Sequence, residues 1–155
     1  MSDSLLIQCA AIMGVSMMPV LELRAAIPFG LAMGLPTGLV YILSVVGNMV
    51  PVPAIILFIR SIFRFLRKHP WWEDKISRLE QRAHLKGRVV RKYSILGLII
   101  LVAIPLPGTG AWTGALVAAL LDIRIQYALP AIFVGVLIAG VLMTAASFGI
   151  ISLWF

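Results

Sequence analysis

One break in an apolar run limits this chain more than anything else in it: Ile104-Pro105-Leu106-Pro107-Gly108-Thr109-Gly110-Ala111-Trp112-Thr113-Gly114 interrupts what would otherwise be a single long hydrophobic helix. Pro105 and Pro107 remove backbone donors and push the residues before them away from helical angles, while Gly108 and Gly110 let the chain turn back. In lipid, such irregular backbone survives only where protein or water covers it. A second break, from Pro19 to Gly30, holds Glu22 and Arg24, the only charges between Asp3 and Arg60. Paired interruptions in the two halves of a membrane chain point to a transport site.

The membrane setting itself follows from composition. Hydrophobic residues make up 61% of the 155 positions, charged residues 12%, and the mean hydropathy is +1.05; a soluble domain carries roughly 25% charged residues. The formal net charge of +7 raises a nucleic-acid reading, but 11 of the 13 Lys and Arg residues lie between Arg60 and Lys92, in one inter-helix segment. That is positive-inside bias and places segment 67–92 in the cytoplasm, with no nucleic acid as partner. The single Cys9 rules out an internal disulfide and a cysteine-based zinc site. Met1 to Ser4 are too few, and Asp3 too acidic, to make the first apolar run a cleaved signal.

Leu5 to Met18 and Ala25 to Leu35 are each short of the ~20 residues that cross the hydrocarbon core. With the turn at Pro19 to Arg24 they make a helical hairpin that enters and leaves by one face. Thr37 to Phe65 crosses fully, with an expected kink at Gly47-Asn48-Met49-Val50-Pro51-Val52-Pro53. Arg60, Arg64, Arg67 and Lys68 mark its cytoplasmic exit, His69-Pro70-Trp71-Trp72 sits at headgroup level, and Trp72, Ile76, Leu79 and Ala83 form the apolar stripe of a surface-lying amphipathic helix. Tyr93 to Ile104 and Ala111 to Leu121 form a second pair of half-segments, and Tyr127 to Trp154 crosses again. A slide of 86 residues aligns Pro19 with Pro105, Ala25 with Ala111, Leu35 with Leu121 and Tyr41 with Tyr127. The expected fold is an all-α integral membrane protein of one domain, 1–155, with two inverted repeats (4–66 and 93–155), each a re-entrant hairpin followed by a transmembrane helix. Both termini then lie outside, at the plasma membrane. A chain with two full spans has little protein to cover two polar tips, so a homodimer is expected, with Gly135, Ala139, Gly140 and Ala146 as close-packing positions within or between protomers.

Glu22 and Arg24 are the first candidates for a site, since each intramembrane charge costs on the order of 3 kcal/mol on the lenient insertion scale. They either bridge each other and pin the tip, or Arg24 binds an anionic group while Glu22 carries a proton. Asn48 either repairs a carbonyl freed by Pro51 or lines a polar pathway. Gly108, Thr109 and Gly110 match no nucleotide-binding loop, but their backbone N–H groups can converge ahead of a helix start and attract an anion, with Thr109, Thr113 and the Trp112 indole as further donors. The plainer alternative is tight packing through small residues. Asp122 and Arg124 repeat the acid-x-Arg spacing at an exposed segment boundary. His69 and His84 have no ligand cluster around them, and no nucleophile–base pair occurs, so neither a metal, a cofactor nor an enzyme is expected.

Glu22-Leu23-Arg24-Ala25-Ala26-Ile27-Pro28-Phe29-Gly30, Gly47-Asn48 with Pro51-Val52-Pro53, and Ile104 to Trp112 together resemble the small multi-drug export protein family over nearly the whole chain. That family is similar in its inferred fold to the DedA superfamily, whose members have two opposed re-entrant hairpins and include lipid-carrier phosphate translocases and scramblases. The resemblance implies transport. Glu22 and Arg24 match the acid and arginine of the first hairpin, whereas the second hairpin has glycine where DedA proteins carry a basic residue. The expected activity is proton-coupled movement of a small or lipid-linked, phosphate-bearing anion, with membrane lipids and protons as partners. Export of lipophilic cations, and a lipid-interacting assembly role without transport, are the alternatives.

Overall fold

The structure is a computed structural model and describes residues 2–66, 89–106 and 108–154. The described residues form α1 (Ser2–Met17), α2 (Glu22–Ala32), α3 (Thr37–Met49), α4 (Pro51–Leu66), α5 (Val89–Ala103), α6 (Ala111–Leu120) and α7 (Ile125–Trp154), with no strand among them. Val50 N–H still bonds the Val46 carbonyl at 3.1 Å, so the chain bends rather than stops between α3 and α4. Thr37–Ile62 and Ile125–Gly149 are therefore continuous apolar helices of 26 and 25 residues, each long enough to cross a bilayer. Only 33% and 39% of their most apolar windows are buried by protein. Ile42, Leu57, Phe58 and Val141, all more than half exposed, turn outward instead. That surface suits lipid and not water. The fold is that of an all-helical membrane protein.

The short helices form the interior. α2 buries Leu23, Ala26, Ile27 and Gly30, the i, i+3, i+4, i+7 stripe of an amphipathic helix. α6 buries Ala111, Gly114, Ala115, Ala118 and Ala119, a face of small residues that lets its neighbours approach closely. α1, α2 and α3 pack mutually, as do α5, α6 and α7, and the two groups join where α4 meets α6 and where α2 and α3 meet α7.

Several expectations change. The first turn is shorter than expected, Met18 to Leu21, and α2 begins at Glu22 and runs through Pro28. The N–H that Pro28 lacks is the one that would reach the Arg24 carbonyl, so the helix forgoes one bond without unwinding. Gly135 packs on Val102 and Gly140 on the Tyr41 ring. With Ala139 buried, these positions are used within the protomer. The amphipathic segment expected at 67–92 lies outside the described residues up to position 88, as does Pro107.

Both short helices end in the same way. Gly34 (φ 75°) and Asp122 (φ 51°) take the left-handed conformation just past the C-terminus. Their N–H groups bond Leu31 and Ala119 carbonyls at 3.0 and 3.2 Å, and the following Leu35 and Ile123 N–H groups bond Gly30 and Ala118 at 3.4 and 2.9 Å. These are paired Schellman closures. The starts share a feature too: Glu22 and Gly108, aligned by the 86-residue slide, both have positive φ, 49° and 83°.

Candidate functional site

The turns before α2 and α6 meet. Glu22, 4% exposed, reaches across to the start of α6, where its carboxylate accepts hydrogen bonds from the Ala111 and Trp112 backbone N–H groups, each at 3.2 Å. The residue ahead of α6 is Gly110, which has no side chain to satisfy those N–H groups. A carboxylate from another element supplies what a local capping residue normally would, and it sits at the positive end of the helix dipole. A Cβ on Gly110 would collide with that carboxylate, and Gly110 has φ 151° as well. Glycine is needed there for close approach and backbone angle together.

Arg24 completes the contact. Its guanidinium donates to the Thr109 carbonyl and, at 2.8 Å, to Thr109 Oγ1. The Thr109 hydroxyl faces the Ile104 and Leu106 carbonyls at 2.8 and 2.9 Å, and the Thr113 hydroxyl donates to the Gly108 carbonyl at 2.7 Å. Both therefore tie the turn that Pro105 begins. In the opposite direction, the Trp112 indole N–H donates to the Met17 carbonyl at 3.1 Å, one of those left open at the end of α1. Each turn thus closes a helix end of the other.

The far end of α6 is held as well. Arg60 of α4 donates to the Ile123 carbonyl, and its Nε lies 4.0 Å from Asp122 Oδ1. A cation beside a helix C-terminus is the favourable counterpart of an anion at its start. With α6 set between Glu22 and Arg60, both of its ends face complementary charge from the first half of the chain. Asp122 itself is 81% exposed, so the ion pair contributes little compared with the carbonyl contact.

The residues singled out from sequence are thus gathered at one place, with changed roles. Among the described residues Glu22 and Arg24 form no salt bridge with each other; they grip two successive parts of the opposite turn. The converging amides belong to Ala111 and Trp112, one and two residues beyond the glycines that were expected to supply them. Asn48 is 0% exposed, and neither its amide nitrogen nor its oxygen has a hydrogen-bond partner, so it does not repair a carbonyl freed by Pro51. It stands beside the Glu22 carboxylate, outside hydrogen-bond geometry. Ser16, Ser44 and Arg60 were missed. The i, i+4 pair Ser44 and Asn48 inside a crossing helix was the legible signal for the second of them.

A helical membrane protein whose two interior turns interlock through a buried acid and an arginine has the features expected of a transport site. The comparison of families says the same: the profile of the family described as Putative small multi-drug export protein matches residues 22–142, and the chain belongs to that family. The match begins at Glu22, the first residue of α2, and takes in the turn before α6. Neither curated proteins nor solved structures give a match.

Proposed function

We propose that the protein is a proton-coupled transporter of a small or lipid-linked anion, phosphate-bearing in the simplest case, and that Glu22 is the moving part. The observation that carries this is the Glu22 carboxylate on the Ala111 and Trp112 amides. An anion site at a helix start is filled here by the protein's own acid. Protonation of Glu22 removes the charge that holds it there and frees the amides for an external anion, which the positive charge of nearby Arg24 also favours. Proton and anion then bind together, which is the condition for their coupled movement.

In this reading α1–α2 and α5–α6 are re-entrant hairpins of two inverted repeats. The termini lie outside, segment 67–92 lies in the cytoplasm at the plasma membrane, and two copies associate to cover the turns. The matching helix closures and the left-handed Glu22 and Gly108 support a repeat. The shortness of α2 and α6 supports hairpins that do not cross.

The family description favours a second reading, export of lipophilic cations. There Glu22 is the counter-ion, and Arg24 must be displaced. Reconstitution in liposomes under a pH gradient separates the two, with polyprenyl phosphates and lipophilic cations as test substrates. For an anion, Arg24→Gln abolishes movement and Glu22→Gln uncouples it from protons. For a cation, Glu22→Gln abolishes movement and Arg24→Gln spares it. No movement of either class, with both variants folded and behaving as wild type in cells, would contradict transport and leave a lipid-interacting assembly role.

A further inference from the structure

Three buried polar atoms on α3 have no protein partner: Ser44 Oγ, Asn48 Nδ2 and Asn48 Oδ1, and Asn48 stands beside Glu22. Both residues are 0% exposed and lie one turn apart on α3. Ser16 of α1, also 0% exposed, closes the same region by donating its hydroxyl to the Ser44 carbonyl. The rest of this core is apolar, with Ile12, Val40 and Val45 among its members. A buried polar group left unpaired keeps its full desolvation penalty, so three in adjacent turns of one helix call for a ligand.

The chemistry of the three atoms selects that ligand. Asn48 Nδ2 needs an acceptor, Asn48 Oδ1 needs a donor, and the Ser44 hydroxyl takes either. A bare cation would satisfy only the oxygens. An anion would satisfy only the donors and would be set against the Glu22 carboxylate. Water does both and is stable inside a protein when it finds two to four polar partners.

We propose that Ser44, Asn48 and Glu22 form an internal water site, and that this water is the group with which Glu22 exchanges its proton. The role rests on Glu22 being the proton carrier proposed above. The α6 amides hold the carboxylate, and Arg24 is the one charged side chain acting on it among the described residues. A proton arrives on the water as hydronium, the new O–H bond forms on the carboxylate, and a neutral water remains. The site thus gives the proton a path separate from that of the anion.

Asn48 is the sole asparagine of the sequence, so 15N-asparagine labelling gives one side-chain amide signal. Water-edited solid-state NMR of the full chain in lipid bilayers, with 15N-isoleucine added so that buried Ile27 and Ile56 serve as dry references, reads the site directly. Magnetisation should pass from water to the Asn48 side chain several-fold faster than to those references, and Ser44→Ala should slow it. Transfer to wild-type Asn48 no faster than to Ile27 and Ile56 would overturn the water site. Read beside proton-coupled transport in liposomes, the two ideas fail separately. A dry Asn48 in a protein that couples protons overturns the water site alone, whereas a wet Asn48 in a protein whose transport ignores pH keeps the site and overturns Glu22 as proton carrier.

Discussion

The two short helices α2 and α6 end alike and begin differently. Both close in a Schellman turn with a left-handed residue, Gly34 in one and Asp122 in the other. At their starts, the 86-residue register sets Glu22 and Arg24 of one turn against Gly108 and Gly110 of the other. The charged turn reaches out, and the glycine turn makes room and offers its amides. Two related halves that had both kept charges would repel, and two that had both kept glycine would leave a polar turn with nothing to cover it in lipid. Divergence between the copies is what makes their turns complementary.

The sharpest way to break that complementarity is to fill the space on the glycine side. Gly110→Ala puts a Cβ where the Glu22 carboxylate lies, so the acid is expelled from its partners, with a loss of stability of about 3–5 kcal/mol. Gly108→Ala meets nothing within 4 Å and has only its φ of 83° against it, which costs roughly 1–2 kcal/mol. Equilibrium unfolding in lipid or detergent measures both. Equal losses for the two would remove the special place of Gly110.

Emptying the charged side has the next largest effect. Glu22→Gln keeps one acceptor and loses the ionic strengthening of both bonds, an expected loss of about 1–3 kcal/mol. Combined with Gly110→Ala it should be far from additive, because both changes break one contact. Additive losses in a double-mutant cycle would mean that the two residues act independently.

At the other end of α6, Arg60→Met should cost about 1 kcal/mol through the lost contact with the helix C-terminus. Asp122→Asn should change almost nothing, since the acid is 81% exposed and 4.0 Å from its partner. The order Glu22, then Arg60, then Asp122 is the test; a larger effect at Asp122 than at Glu22 would reverse the account of which end of α6 matters.

Much of the fold was legible in the sequence because lipid makes helix length and helix interruption decisive. The apolar runs give both crossing helices to within about two residues at each end, α1 and α5 with starts three and four residues late, and Ala111 as the start of α6. Pro28 does not break α2, because its lost hydrogen bond is local while the packing of Ala26, Ile27 and Gly30 holds the helix together from outside. The rarity of intramembrane charge marked Glu22 and Arg24. Thr109, the partner of Arg24, was among the candidates, but the pairing of Glu22 was not legible: Ala111 and Trp112 lie 89 and 90 residues from it, and a contact made through backbone amides leaves no residue type to read. Gly110 showed in the sequence as a turn former and a source of converging amides, and its role in making room for a carboxylate appears once Glu22 is in place. Ser44 was not legible by itself, because a serine in a membrane helix usually satisfies itself on a carbonyl of the preceding turn, whereas its hydroxyl here has no partner.

The central claim is that the ionised Glu22 carboxylate holds the two turns together and that losing its charge lets them part. Pulsed electron spin resonance between nitroxides at Val20 and Leu106, exposed positions on the two turns at 87% and 55%, measures this in a Cys9→Ser background that leaves no native cysteine. In lipid at neutral pH the parent should give one narrow distance. Glu22→Gln should add a longer, broader population, and an unchanged narrow distance in that variant would contradict the claim.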